Sequence, residues 1–242
     1  MAAVLLMLVL TGSGCAQPPA GRGFEVRYEA PAAADGADAR FLRERRTAER
    51  AADALNAYLD LPYRVTLMAR SCAGEGSGYD PQARRIELCY DDLAEDRALF
   101  EAAGRRPAGD AVEAVVAETV HHEAGHALVD ALDLPVGGDR AEEDAADRFA
   151  ALMLLREGPS GEAKLRTAAE AYELAAAEGP GSGRDEHAPP ATRAAAHRCL
   201  LYGAAPDRHP APAAGEQGCA PSWPEVRAEW ERAPGPLLRK SP

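Results

Sequence analysis

Asp110–Leu134 reads DAVEAVVAETVHHEAGHALVDALDL, and the fold turns on this stretch. Val112, Val115, Val116, Val120, Ala124, Ala127, Leu128 and Leu132 make it apolar nearly all round, the pattern of a buried helix. Asp110 stands where an N-cap is expected, and Pro135 with Gly137-Gly138 ends the run. His122 and His126 are four apart, so they lie one above the other on a single helical face and both imidazoles can reach one metal ion. Glu123 projects from a neighbouring direction, where it can hold a water rather than the metal. The plainer alternative is a core helix whose histidines are satisfied by hydrogen bonds. Burying two imidazoles and a carboxylate together is costly without a compensating ligand, which favours the metal. His121 has Gly125 four residues on, breaks the spacing and reads as a non-ligand.

A zinc ion with one position open needs a third protein ligand. Residues 140–155 have helical apolar spacing, yet Glu143 and Asp147 stand one turn apart on a face that should turn inward. Glu143 fits as that ligand, with Glu142 as the fallback, and Asp147 is placed to hydrogen-bond His122 from behind. Gly125 would let this second helix approach closely. The alternative is a solvated acidic start, since Glu142, Glu143 and Asp144 also suit a helix N-terminus.

The rest of the chain supplies the frame. Strands are expected at 24–28, 63–69 and 84–90, and helices at 40–59, 91–103, 162–178 and 190–202. Cys72–Gly78 reads as a glycine-rich loop, Tyr79–Gln82 as a turn, Gly158–Gly161 as a break, and 204–224 as irregular, with one helical turn at 226–230. Gly179–Gly183 reads as a flexible loop delivering Asp185-Glu186-His187. The fold class is α+β: a small antiparallel or mixed sheet packed on the histidine helix, followed by a mainly helical part. We divide the chain into a leader at 1–15, a tether at 16–38, a metal-binding subdomain at 39–157, and a helical subdomain at 158–242 that completes the cleft.

A net charge of −12 over 242 residues, without any basic stripe, excludes nucleic acid as the expected partner. Ala2–Leu10 is too short an apolar run to span a bilayer and reads as the core of a secretory signal. The small residues before Cys15 resemble a bacterial lipobox, which would lipidate that cysteine and give the protein its one link to a membrane; plain secretion is the alternative. Either way the expected location is the cell envelope or beyond. Removing Cys15 leaves Cys72, Cys89, Cys199 and Cys219, an even number suited to disulfides. The spacing does not fix the connectivity; the local pairs Cys72–Cys89 and Cys199–Cys219 close short loops and would each stabilise by about 3 kcal/mol. A cysteine metal site is the rival, but no CxxC is present.

His122-Glu123-Ala124-Gly125-His126 is the HExxH arrangement of zinc metallopeptidases. With Tyr79-Asp80-Pro81, Cys89-Tyr90, Glu143-Asp144-Ala145-Ala146-Asp147, Asp185-Glu186-His187, Arg193, Cys199 and Tyr202-Gly203, the chain resembles a bacterial family of metallopeptidases of unknown function. The Glu-x-x-x-Asp step is similar to that of gluzincins, which implies a zincin-like fold with His122, His126 and Glu143 on one Zn²⁺ and Asp147 supporting a histidine. The loop at Gly74–Gly78 and the helix around Ala194–His197 depart from the family pattern. In zincins the strand ahead of the metal helix commonly offers a sheet edge to a peptide, a role the 84–90 strand could fill; a hairpin strand with no ligand is the other reading. The expected activity is hydrolysis of a peptide or protein, with Glu123 as general base and His187 or Arg193 as the second oxyanion donor beside the metal. The competing class is a non-catalytic exported lipoprotein that uses the same scaffold to bind a partner at the cell surface.

Overall fold

The computed structural model describes residues 21–179, 187–212 and 219–239. The apolar leader with Cys15, the start of the tether, and most of the glycine loop with Asp185 and Glu186 lie outside these residues. Four strands form one mixed sheet in the order β1-β2-β4-β3: β1 (Gly23–Tyr28), β2 (Arg64–Arg70), β3 (Gly78–Asp80) and β4 (Arg85–Cys89). Strand β2 alternates as its sequence does, burying Val65, Leu67 and Ala69 while Thr66 and Met68 are half-buried. β1, β2 and β4 are parallel, so the chain must cross over between β1 and β2. Helices α1 (Gly36–Arg45) and α2 (Thr47–Tyr58) make that crossing. β1 falls within the stretch read as a tether and is paired along its whole length with β2.

Three expectations change here. The helix expected over 40–59 is broken at Arg46, which takes a left-handed conformation (φ 53°) and donates its N–H to the Leu42 carbonyl at 3.0 Å. The bend lets Leu42 and Ala48, Ala51 and Leu55 enter the core on two differently directed helices. The strand at 84–90 is not a sheet edge: β4 lies between β2 and β3, and the edges of the sheet are β1 and β3. Tyr79 and Asp80, expected in a turn, pair antiparallel with Ile86 and Arg85. The turn follows them, held by the Gln82 and Ala83 N–H groups donating to Asp80 Oδ1 at 2.9 and 3.0 Å.

The helices are α3 (Tyr90–Ala102), α4 (Gly109–Leu132), α5 (Asp139–Leu155), α6 (Pro159–Glu178), α7 (Pro190–Ala204) and α8 (Trp223–Arg232). α4 runs through the middle, packed against α2, α3, α5, α6 and the sheet. Val112, Val120 and Leu128 on it are fully buried, in one apolar cluster that extends from Phe24 to Trp230. Asp110 does not cap α4: the helix begins at Gly109, and Asp110 instead pairs with Arg45 on α1 at 2.8 Å. The break at 158–161 is only a corner, turned by Gly158 at φ +70°. α6 starts at Pro159, and a Cβ on Gly161 would lie 1.7 Å from the Leu154 carbonyl oxygen, so the first turn of α6 presses on the end of α5. α8 is longer than the single turn expected, because Ser222 and Glu225 form a capping box.

Cys72–Cys89 joins the ends of the neighbouring strands β2 and β4, and Cys199–Cys219 ties the segment before α8 back to α7. Two disulfides fit an oxidising compartment. Among the described residues no helix is long and apolar enough to cross a membrane.

Candidate metal centre

The centre forms where α4 crosses α5. The crossing is close because Gly125 faces Ala146: a Cβ on Gly125 would stand 2.8 Å from the Ala146 Cα. Ala146 lies between Glu143 and Asp147, so the contact sets both acids against the histidine face of α4. His122 Nε2 is 3.2 Å from His126 Nε2 and 3.0 Å from Glu143 Oε2, and His126 Nε2 is 3.3 Å from Glu143 Oε1. The far ring nitrogens are occupied. His122 Nδ1–H donates to Asp147 Oδ1 and His126 Nδ1–H donates to Glu142 Oε1, each at 2.8 Å. Glu142, the fallback ligand, thus supports His126 as Asp147 supports His122.

With both Nδ1 protons committed, each neutral ring turns a lone pair towards Glu143, so three acceptors converge with no donor among them. Tetrahedral bonds of about 2.0–2.1 Å place ligand atoms about 3.3 Å apart, so these separations suit a zinc-sized cation. Without the cation, protons must take its place. Burial pushes the His122 imidazolium down, but Asp147 and Glu143 outweigh it and raise the group to about 10. His126 is likewise lowered by burial and raised more strongly by Glu143, Glu123 and Glu142. Burial would raise Glu143 and Asp147. His122, His126 and His187 instead hold Glu143 far below the usual carboxylate range, and Arg193 with His122 does the same for Asp147. Glu123, 7% exposed, is different: burial raises its carboxyl.

A cleft of about 570 Å³ opens on this centre, bordered by Glu123, His126, Glu143 and His187 and, across it, by Gly78 and Tyr79 of the open strand β3. His187 Nε2 lies 2.9 Å from Glu143 Oε2, and its ring stacks on His122 with centroids 5.7 Å apart. Arg193 reaches the centre from behind. Its Nε donates to Asp147 Oδ2 at 2.9 Å, its Nη2 donates to Oδ1, and its guanidinium covers the Tyr172 ring at 4.2 Å. His121 is fully buried on another side of α4, where burial holds its imidazole down to about 3. Glu118, Tyr172 and His197, to which the sequence assigns no role at the centre, form a buried polar group beside Arg193. The signal for Glu118 was its place one turn ahead of His122 on the same helical face.

Two imidazoles and a carboxylate, backed by acids and opening on a cleft beside the buried Glu123, form a group of side chains able to hold a metal ion. The chain belongs to the family described as "Putative metallopeptidase", whose profile matches residues 28–233. No curated protein and no solved structure matches it.

Proposed function

We propose that the protein is a zinc-dependent, zincin-like peptidase acting in the cell envelope. The observation that carries this reading is the meeting of the His122 and His126 Nε2 atoms, 3.2 Å apart, with the Glu143 carboxylate, one oxygen 3.0 Å from His122 and the other 3.3 Å from His126, where His126 and Glu143 border a cleft. His122, His126 and Glu143 would hold one Zn²⁺; two imidazoles and a carboxylate suit zinc better than a hard cation. When bound, zinc supplies Lewis acidity, bringing the pKa of water towards neutrality and polarising a carbonyl.

The protein's own groups do the rest. Glu123 borders the cleft and its burial raises its proton affinity, which suits a base that takes a proton from water and passes it to the leaving amine. His187 stands at the cleft wall with its Nε2 2.9 Å from Glu143 Oε2; with Glu143 turned to the metal, that N–H would be released to donate to a developing oxyanion. Arg193, the other candidate for that task, is forked onto Asp147, and we assign it to holding Asp147 and hence the His122 ring. The open edge of β3 can pair with an extended peptide through backbone groups, which tolerates varied side chains. Export fits the two disulfides, with Cys15 as the lipid-bearing residue.

The test is peptide-library cleavage by wild type and Glu123→Gln, each with its zinc content measured. Glu123→Gln should keep one zinc per chain and lose about 10²–10⁴ in turnover. Hydrolysis at the wild-type rate by this variant would remove the base assignment, and a zinc-free wild type would remove the reading.

A further inference from the structure

We propose that Glu118 is a positioning residue for the centre, acting through Tyr172, His197 and Arg193. The inference rests on reading the centre as a zinc site. Glu118 lies on α4 one turn ahead of His122, is 2% exposed, and does not border the cleft. Its carboxylate accepts His197 Nε2–H from α7 at 3.0 Å and the Tyr172 hydroxyl from α6 at 3.3 Å on both oxygens. The other ring nitrogen of His197 has no hydrogen-bond partner among the described residues, so Glu118 sets that ring's orientation. Tyr172 in turn lays its ring under the Arg193 guanidinium, whose fork grips Asp147.

Four helices therefore meet in one buried polar unit: α4 by Glu118 and His122, α5 by Asp147, α6 by Tyr172, and α7 by Arg193 and His197. An oxygen of Glu118, an oxygen of Asp147 and a ring nitrogen of His122 lie within 4.8 Å of one another. A buried carboxylate is expensive, and well-packed apolar side chains often stabilise such a place as well or better. Glu118 contributes geometry instead. It fixes the surface on which Arg193 rests and ties α6 and α7 to the metal-binding helix, so Asp147 meets His122 Nδ1 at one angle. Glu118 also holds its negative charge beside Arg193, since burial would raise its carboxyl but His197 and Arg193 keep it low.

Three variants of the full chain test this, Glu118→Gln, Tyr172→Phe and Asp147→Asn, with zinc affinity read by chelator competition and folding by circular dichroism. Groups that directly support a ligand are worth about 10–100-fold in metal affinity. One step further out, Glu118→Gln should weaken zinc about tenfold and Tyr172→Phe about threefold. Glu118→Gln should add little in an Asp147→Asn background, because both act on the same imidazole. A merely structural role would lower the melting temperature without changing the affinity of the folded variant, and its effects would not be absorbed by Asp147→Asn. Tyr172→Phe keeps the ring under Arg193 and decides the matter if Glu118→Gln does not fold. Unchanged affinity in folded variants overturns the inference alone; no zinc uptake by wild type overturns the zinc reading and this inference with it.

Discussion

Replacing Gly125 by Ala tests whether the α4–α5 crossing sets the centre. The new Cβ would stand 2.8 Å from the Ala146 Cα and 3.1 Å from its Cβ. Carbon atoms rest at about 3.5–4.0 Å, so the helices must part locally by about 0.7–1.2 Å. Neither contact is the tip of a flexible side chain, so the shift falls on α5 itself and carries Glu143, three residues before Ala146, away from the two rings. Metal–ligand distances tolerate about 0.2 Å, so Glu143 would be lost as a ligand. Structural zinc sites bind with about 10–16 kcal/mol, roughly 3 kcal/mol for each of four ligands. Losing one should weaken zinc about 100-fold. The effect on folding is smaller: overpacking costs about 1–3 kcal/mol, and Ala regains about 1 kcal/mol over Gly inside a helix. Chelator competition should thus show a large loss of zinc affinity while thermal unfolding of the metal-free protein shifts only modestly. A folded Gly125→Ala that binds zinc within threefold of wild type would refute the claim that this contact places Glu143.

Two further outcomes follow from the ionisable groups. Zinc uptake at pH 8 should release about one proton or more, because Asp147 and Glu143 outweigh burial and raise His122 from an ordinary 6.5 to about 10 while the metal needs a neutral ring. The raised value stabilises the metal-free fold fully below about pH 6.5, and this contribution is lost as pH rises through about 10, so zinc affinity should climb over the same window. Calorimetry in buffers of different ionisation enthalpy measures the protons, and none released at pH 8 would overturn the assignment. Asp96 on α3 is raised to about 7 by burial, then by Asp92, Glu118 and Glu95. Its neutral form suits the fold, so its contribution is whole below about 3.8 and lost as pH rises through about 7. Asp96→Asn should therefore unfold like wild type at pH 4 and gain about 1–2 kcal/mol at pH 8, a value discounted because the side chain keeps partial exposure; equal stability at pH 8 would refute it.

How far the site could be read in advance depended on whether its geometry was local. His122 and His126 share a face by spacing alone, and so do Glu143 and Asp147, because the helical period is fixed by the backbone. Which acid meets which ring is not local: Glu142 and Glu143 are neighbours in sequence, and only the crossing at Gly125 turns Glu143 to the Nε2 atoms and Glu142 to His126 Nδ1. The alternation of β4 was legible, but alternation says that one face is buried and not whether a neighbour lies on each side. β3 is three residues long and contains Gly78 and Asp80, so its pairing looked like a turn. The break at Arg46 was hidden for a related reason. The residue carries no sign of a left-handed conformation, and the bend is imposed by two packing faces that a continuous helical period cannot distinguish. Glu118 is the sharpest instance. Its spacing from His122 put it on the right face, but its meaning comes from Tyr172 and His197, which lie 54 and 79 residues further along the chain. Nothing within α4 announces those partners, so a carboxylate that reads as one more acid on an acidic chain becomes, once α6 and α7 are in place, the back wall of the centre.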